Sequence, residues 1–402
     1  MISLDEALDF VLSLTPRREP TVVPVAEALG LVLAQDVVSD VAIPPFDNTA
    51  MDGFAVRAAD VVEAPCDLSI VGTVAAGDNP TDAIGPGEAV RIMTGAVIPP
   101  GADAVVMVEL TSVDGDVVRL DESVPLGNHI RPAGDDVQSG DLVFERGEPL
   151  GAGHLGVLCS LGLTEVQVYP RLRIGVISTG DELVDDGAPL QPGQIRDSNR
   201  RTLLSLVAQA GAEGVDLGLA RDDEEVIEAA LRNGVAQCDA VMTTGGVSMG
   251  DFDYVKAVLS RIGEMRWMQI AIKPAKPFAF GTVDGVPVFG FPGNPVSCMV
   301  SFELFGRPGV RQMMGFDEVI VPRINAVADE DLDRRVDGKT HFLRARATYG
   351  TDGRLHVRLA GGQGSHMLWA MAKANVLAAL PNGDGVSAGG EVEIILLGAA
   401  SA

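Results

Sequence analysis

The chain reads as a multidomain α/β protein: a doubly wound parallel-sheet domain, β-rich lobes before it and a smaller β-domain after it. Three observations predict this. Between Arg171 and Phe305, short Ile/Val-rich runs alternate with amphipathic stretches, the pattern of right-handed βαβ units. Residues 21–170 consist instead of short Val-rich segments punctuated by Gly and Pro, which is strand text with few helices. After about Val319 strand-like segments return.

Taken in order, the first element is a helix. Ser3 and Glu6 make a capping box, Leu4, Ala7, Leu8, Val11 and Leu12 share one face, and Pro16 stops it. Strands are expected at 67–74, 103–110 and 116–120, and a short helix at 153–161. In the alternating part, strands at 172–178, 215–219, 240–243 and 286–289 are followed by helices at 198–210, 223–232, 252–262 and 296–305. The second of these helices should end near Gly234. Tail strands are expected at 324–328, 342–349, 355–358 and 391–397. These changes of rhythm divide the chain near Thr21, Pro170 and Val319.

With 402 residues, there is chain for two to four domains at ~150 residues each. Thirty basic against fifty-six acidic residues give a net charge of −26, which argues against nucleic acid as a partner. Acid stands where a signal peptide carries base, and no stretch reaches the ~18–20 apolar residues of a membrane span. Four single cysteines without a CxxC pair suit a reducing compartment, so a cytoplasmic protein is expected.

Ligands of a doubly wound sheet bind beyond the carboxyl ends of its strands. Four loops fall there. They contain Thr179-Gly180-Asp181-Glu182, Arg221-Asp222-Asp223, Gly245-Gly246-Val247-Ser248 running to Asp251 and Asp253, and Pro292-Gly293-Asn294. Glycines let backbone N–H groups approach a phosphate, and carboxylates hold a cation such as magnesium. Each piece alone has a plainer reading: the glycines as turns, and Asp223 as a helix cap.

The chain has five lysines against twenty-five arginines, and two of the five lie in Ile272-Lys273-Pro274-Ala275-Lys276-Pro277. Prolines after both lysines should hold this segment extended, presenting two compact charges suited to a tetrahedral oxyanion. The competing reading is a solvated edge strand. His366 after a glycine turn invites a role as general base, though packing is the commoner use of such a histidine. Gly151-Ala152-Gly153-His154-Leu155-Gly156 matches GxGxxG but follows no strong strand, and Val176 stands where an acid is needed, so a nicotinamide site is not expected.

Together PPFDNTAMDGFAV, RIMTGA, STGDEL, GGVSMGDFDY, IKPAKPFAFG, FPGNPVS and QGSH resemble, in order and over nearly the whole chain, the molybdopterin molybdenumtransferases, a family that includes the C-terminal domain of gephyrin. Small departures are Thr49, Phe54, Met249 and Ala275, where the family has Ser, Tyr, Val and Gly. The resemblance implies four subdomains: 22–45 with 138–170 as a β-rich connecting domain, 46–137 as a β-rich lobe, 1–21 with 171–318 as the α/β molybdopterin-binding domain, and 319–402 as the C-terminal β-domain. It implies a homodimer that takes adenylylated molybdopterin and molybdate, inserts the metal and releases AMP with the help of Mg2+. It implies molybdate binding by Lys273, Lys276, Pro277, Arg344 and Ser365. Metal ligands would be Glu182, Asp222, Asp251 and Asp253. Substrate contacts would come from Thr179, Gly180, Gly245, Gly246, Ser248, Pro292, Gly293 and Asn294. Catalytic roles fall on Asp52, Thr94, Glu182, Asp222, Asp253, Lys273 and Lys276, with Asp52 and Thr94 on a lobe that reaches the dimer partner. A molybdopterin adenylyltransferase would donate the substrate, and apo-molybdoenzymes would take the product. The alternatives are a non-catalytic pterin-binding scaffold paralogue and a related nucleotide-pterin pyrophosphate hydrolase. Molybdate and tungstate are tetrahedral dianions of nearly equal size, and the pattern suits either.

Overall fold

The computed structural model describes residues 1–246 and 254–398. A six-stranded sheet lies at its centre, in the order Glu213–Ala220, Arg173–Thr179, Ala240–Thr244, Val286–Phe291, Pro277–Val283, Glu264–Gln269. The first four strands are parallel, as the alternation predicts. Pro277–Val283 runs against them and Glu264–Gln269 pairs antiparallel with it in turn; the sequence reading missed both. Helices cover both faces. Ile227, Leu231, Val255, Val258 and Leu259 close one face, while Leu203 and Val207 join the core of the other.

The first helix, Leu4–Ser13, forms as its pattern requires. The Ser3 hydroxyl accepts from the Glu6 amide at 3.0 Å, and Ala7, Leu8 and Val11 are buried. It packs on the central domain, with Phe10 edge-on to Phe280 at 5.9 Å. Two expected boundaries move. The helix Glu224–Gln237 passes through Gly234, because a Cβ there would meet Leu217 Cδ1 at 2.6 Å, so this glycine serves helix-to-sheet packing rather than termination. The helix from Pro295 continues beyond Phe305 to Met313 through a wide π turn at Phe302–Gly306. That turn buries the ion pair of Arg307 with Glu303, two parallel bonds of 2.7 and 2.9 Å.

The C-terminal strands Thr340–Tyr349, Leu355–Leu359, Arg323–Ala328, Glu391–Leu396 and Val376–Leu380 pair in a closed ring, a small barrel with its own core. The Val376–Leu380 strand was unread in the sequence. The short strand Ile272–Lys273 pairs with Thr340–Tyr349, stitching the barrel to the central domain. In the N-terminal half, a six-stranded sheet (Ala104–Met107, Gly53–Val56, Glu88–Ile92, Cys66–Val74, Val117–Leu120, Thr111–Asp114) buries apolar side chains on both faces. Short pairs such as Thr21–Pro24 with Glu165–Val168 lead into the central domain. The helix expected at 153–161 is Ala152–Ser160, which accommodates the rejected glycine motif. Among the described residues, no helix is long and apolar enough to cross a membrane.

Candidate active site

A cavity of about 640 Å³ opens at the carboxyl ends of the parallel strands. Thr179, Gly180, Glu182, Asp222, Gly245, Gly246, Pro292, Gly293 and Asn294 all line it, and Pro277 closes one side. Gly245 has φ +96°, and a Cβ there would stand 3.0 Å from the Thr179 carbonyl oxygen, so the close crossing of two strand ends fixes its identity. The Asp181 and Asp222 loops brace each other: the Asp222 amide donates to the Asp181 carboxylate at 3.3 Å, and the reverse bond is 3.4 Å. Asp223 is a helix cap, accepting from the Glu225 and Val226 amides at 3.0 Å.

Several cavity residues escaped the sequence reading. Asp197, Ser198, Asn199 and Arg196 line the wall. Asn199 Nδ2 donates to Thr244 Oγ1 and to the Gly293 carbonyl, both at 2.7 Å, tying two loop-bearing strand ends to the start of the Asn199–Gln209 helix. Ser198, at the N-cap position, makes no capping bond; Asp197 accepts from the Arg200 amide at 3.2 Å instead. The unbroken polar run Arg196-Asp197-Ser198-Asn199-Arg200-Arg201 was the available signal, because a cap needs one such residue, not six.

The lysine segment departs from expectation. The Lys273–Pro274 peptide bond is cis and Ala275 has φ +73°, so the chain turns here instead of running extended. This turn is the crossover between sheets. Lys273 pairs in register with His341 on the barrel, and Pro277 begins a strand of the central sheet. Both lysines are exposed. Burial, opposed by Asp337 and assisted by Arg334 and Lys273, holds His341 below its ordinary value.

Three residues beyond His341, Arg344 is only 1 % exposed. Its Nη2 donates to the Gly362 and Gly364 carbonyls at 3.2 Å, and its Nε has no partner among the described residues. Burial pulls its pKa down to about 10, with no carboxylate opposing. The loop supplying those carbonyls contains Ser365, whose own carbonyl accepts from the Val296 amide at 3.1 Å. Pro295, the neighbour of Val296, lines the cavity. Arg344 and Ser365 thus stand next to the cavity's rim, although neither lines it.

Asp52 and Thr94 lie in the N-terminal lobe and not on the cavity. They meet each other: the Thr94 amide and hydroxyl both donate to Asp52 Oδ1, at 2.7 and 2.8 Å, and hold that carboxylate below its usual range. Nearby Asp47 accepts from the Ala133 amide at 2.7 Å, a loop-bracing role. Ser248, Asp251 and Asp253 lie outside the described residues. Among the described residues no three or more His, Cys, Asp or Glu side chains gather as a metal cluster.

Comparison with known proteins places this geometry. Residues 2–162 match the MoeA N-terminal region (domain I and II), 175–312 a probable molybdopterin binding domain, and 329–397 the MoeA C-terminal region (domain IV). The chain is 41 % identical over 399 residues to a molybdopterin molybdenumtransferase of Haemophilus influenzae, covering 98 % of each. It is 39 % identical over 393 residues to molybdopterin molybdenumtransferase 2 of Mycobacterium tuberculosis, covering 95 % of this chain and 96 % of that one. A crystal structure of the molybdopterin biosynthesis moeA protein from Pyrococcus horikoshii superposes with a TM-score of 0.81 at 30 % identity, over 99 % of this chain and 100 % of that one. With matched regions spanning the lobe, the cavity and the barrel, the chain belongs to the MoeA family, whose curated relatives are named molybdopterin molybdenumtransferases.

Proposed function

We propose that this molybdopterin molybdenumtransferase takes molybdate and adenylylated molybdopterin, places molybdenum on the dithiolene and releases AMP. The observation that carries the reading is Arg344, buried with an unpartnered Nε and no counter-charge among the described residues. A buried guanidinium without an acid is costly, by several kcal/mol as a rule, unless a ligand brings the missing charge. A tetrahedral oxyanion brings two charges and four acceptor oxygens. Lys273 and Lys276, on the turn between the sheets, and Ser365, on the loop that holds Arg344, supply further donors beside it.

The cavity suits the nucleotide-linked phosphates. The helices starting at Asn199 and Pro295 present their N-termini there. Gly180, Gly245 and Gly246 let a ligand approach the backbone closely, although the Gly180 and Gly245 amides already donate to the Ala220 and Phe291 carbonyls. Glu182 and Asp222 fit a hard cation. Mg2+ commonly takes one or two carboxylates and completes its shell with water and phosphate oxygens, so a pair suffices. Bound there, magnesium would neutralise charge on the phosphoanhydride as the bond to AMP breaks.

Asp52 and Thr94, formed as a pair away from the cavity, fit a lobe that completes the site of a second copy of the chain, hence a homodimer. A cytoplasmic location suits four free cysteines, with an adenylyltransferase upstream and apo-molybdoenzymes downstream. The test is AMP release from adenylylated molybdopterin and Mg2+, with and without molybdate. Molybdate-dependent release that yields product able to activate an apo-molybdoenzyme supports the reading. Tight pterin binding without release under any oxyanion overturns it in favour of a scaffold.

A further inference from the structure

We propose that Arg200 is a positioning residue that clamps the 183–196 excursion as the outer wall of the cavity, and thereby sets Glu182. This rests on the cavity's assignment to adenylylated molybdopterin. The central strand ends at Thr179, and the chain rejoins the body of the domain only at the Asn199–Gln209 helix. The excursion's two ends pair only briefly, Leu183–Val184 beside Ile195–Arg196. Leu183, Ile195 and Arg196 face the cavity. Residues 185–193 are exposed throughout, and the excursion contributes no side chain to any buried core cluster. Apolar packing therefore does not hold it.

Arg200 does. Its side chain is 4 % exposed and reaches three carboxylates from three parts of the fold. Nε meets Asp197 at 2.9 Å, at the base of the excursion. Nη1 meets Asp216 at 2.5 Å, on the edge strand Glu213–Ala220. Nη2 meets Asp185, inside the excursion. Asp197 and Asp216 compensate the buried charge; Asp197 is itself 1 % exposed and also accepts from Ser178 Oγ at 3.0 Å. The third bond, to a 40 % exposed aspartate, adds little to burial but fixes where the excursion stands. The planar fork of a guanidinium can serve three directions at once, which an ammonium does poorly. Backbone bonds from Ile195 to Glu182 (2.8 Å) and from Asp197 to Val184 (3.0 Å) carry that placement to the residue proposed to hold magnesium.

The experiment compares Asp185→Ala, Asp216→Ala and Arg200→Lys in the full chain by hydrogen exchange, thermal melting and steady-state kinetics of AMP release. Asp185→Ala cuts only the excursion's end of the clamp and leaves the buried pair whole. It should speed exchange of amides in 184–196 by about ten-fold or more, leave Tm nearly unchanged, and raise KM for adenylylated molybdopterin several-fold while kcat moves less. Arg200→Lys should act in the same direction. Asp216→Ala should loosen the edge strand and spare the excursion. Unchanged exchange in 184–196 and unchanged KM in Asp185→Ala overturn the proposal, as does a loss of protection spread evenly over the 199–209 helix. Because exchange is read without turnover, faster exchange in a protein that releases no AMP leaves the clamp standing and removes the substrate assignment instead.

Discussion

The Ser365 carbonyl accepts a hydrogen bond from the Val296 amide at 3.1 Å, so the loop that caps Arg344 is fastened to the first turn of the helix rimming the cavity. The proposed oxyanion position and the proposed phosphate cavity adjoin through this backbone contact between two domains. Their chemistry can therefore be separated by mutation.

Arg344→Met should leave the fold intact and its stability equal or higher, because it removes an unpaired buried charge while keeping much of the volume. AMP release should fall by ~100-fold or more. Thermal melts with added molybdate check the origin of the loss: molybdate should raise Tm of the wild type and not of the variant.

Lys273→Ala should lower AMP release by ~100-fold or more at saturating molybdate, as for the loss of one fixed oxyanion donor. Unchanged turnover would remove Lys273 from the catalytic set.

Mixing Asp52→Asn protein with Lys273→Ala protein tests the shared site. If the lobe acts across a dimer, exchange of subunits creates one wild-type site per mixed dimer, and activity should return to about a quarter of wild type at equal mixing. No recovery after demonstrated subunit exchange would place Asp52 and Lys273 in the same subunit's site.

Stability should depend on pH through His341. Its folded value lies below 6.5, so its contribution is present above 6.5 and is lost as pH falls through the folded value, where the unfolded chain takes a proton first. His341→Gln should flatten the fall in Tm that begins as pH drops below 6.5. Asp337 titrates lower. Burial raises its pKa, but bonds from His341 and Lys339 bring it to about 2, so its contribution is lost only below about 4.

Glu303→Gln should destabilise the protein by ~3–5 kcal/mol, since it strands Arg307 in the π turn with both side chains buried. Replacing both residues by Met or Leu should recover most of the loss. Urea unfolding of the two variants decides it.

The parallel half of the central sheet was legible because buried strands and amphipathic helices write different periods into the sequence. The antiparallel strands were not. Pro277–Val283 begins on the second of two prolines that read only as holding the lysine segment extended, and Glu264–Gln269 mostly alternates exposed and half-buried positions without a strong apolar face. The cavity's glycines and acids were legible as loops after strands; Asn199 was hidden by its resemblance to a helix cap. Arg344 carried no local signal. What distinguishes it among twenty-five arginines is enclosure by the Gly362 and Gly364 carbonyls, some twenty positions away. The Asp52–Thr94 bond spans 42 positions and is equally silent in the linear text.

The burial of Arg344 also explains why this position is not a sixth lysine. Loss of water lowers the guanidinium from its ordinary value to about 10, which still leaves it charged at every pH a cell experiences. An ammonium under the same dehydration would fall from ~10.4 to ~8 and would spend part of its time neutral. At the proposed oxyanion position the cations thus differ in exposure: Lys273 and Lys276 stand in solvent on the turn between the sheets, and an arginine stands where the charge must survive being dry.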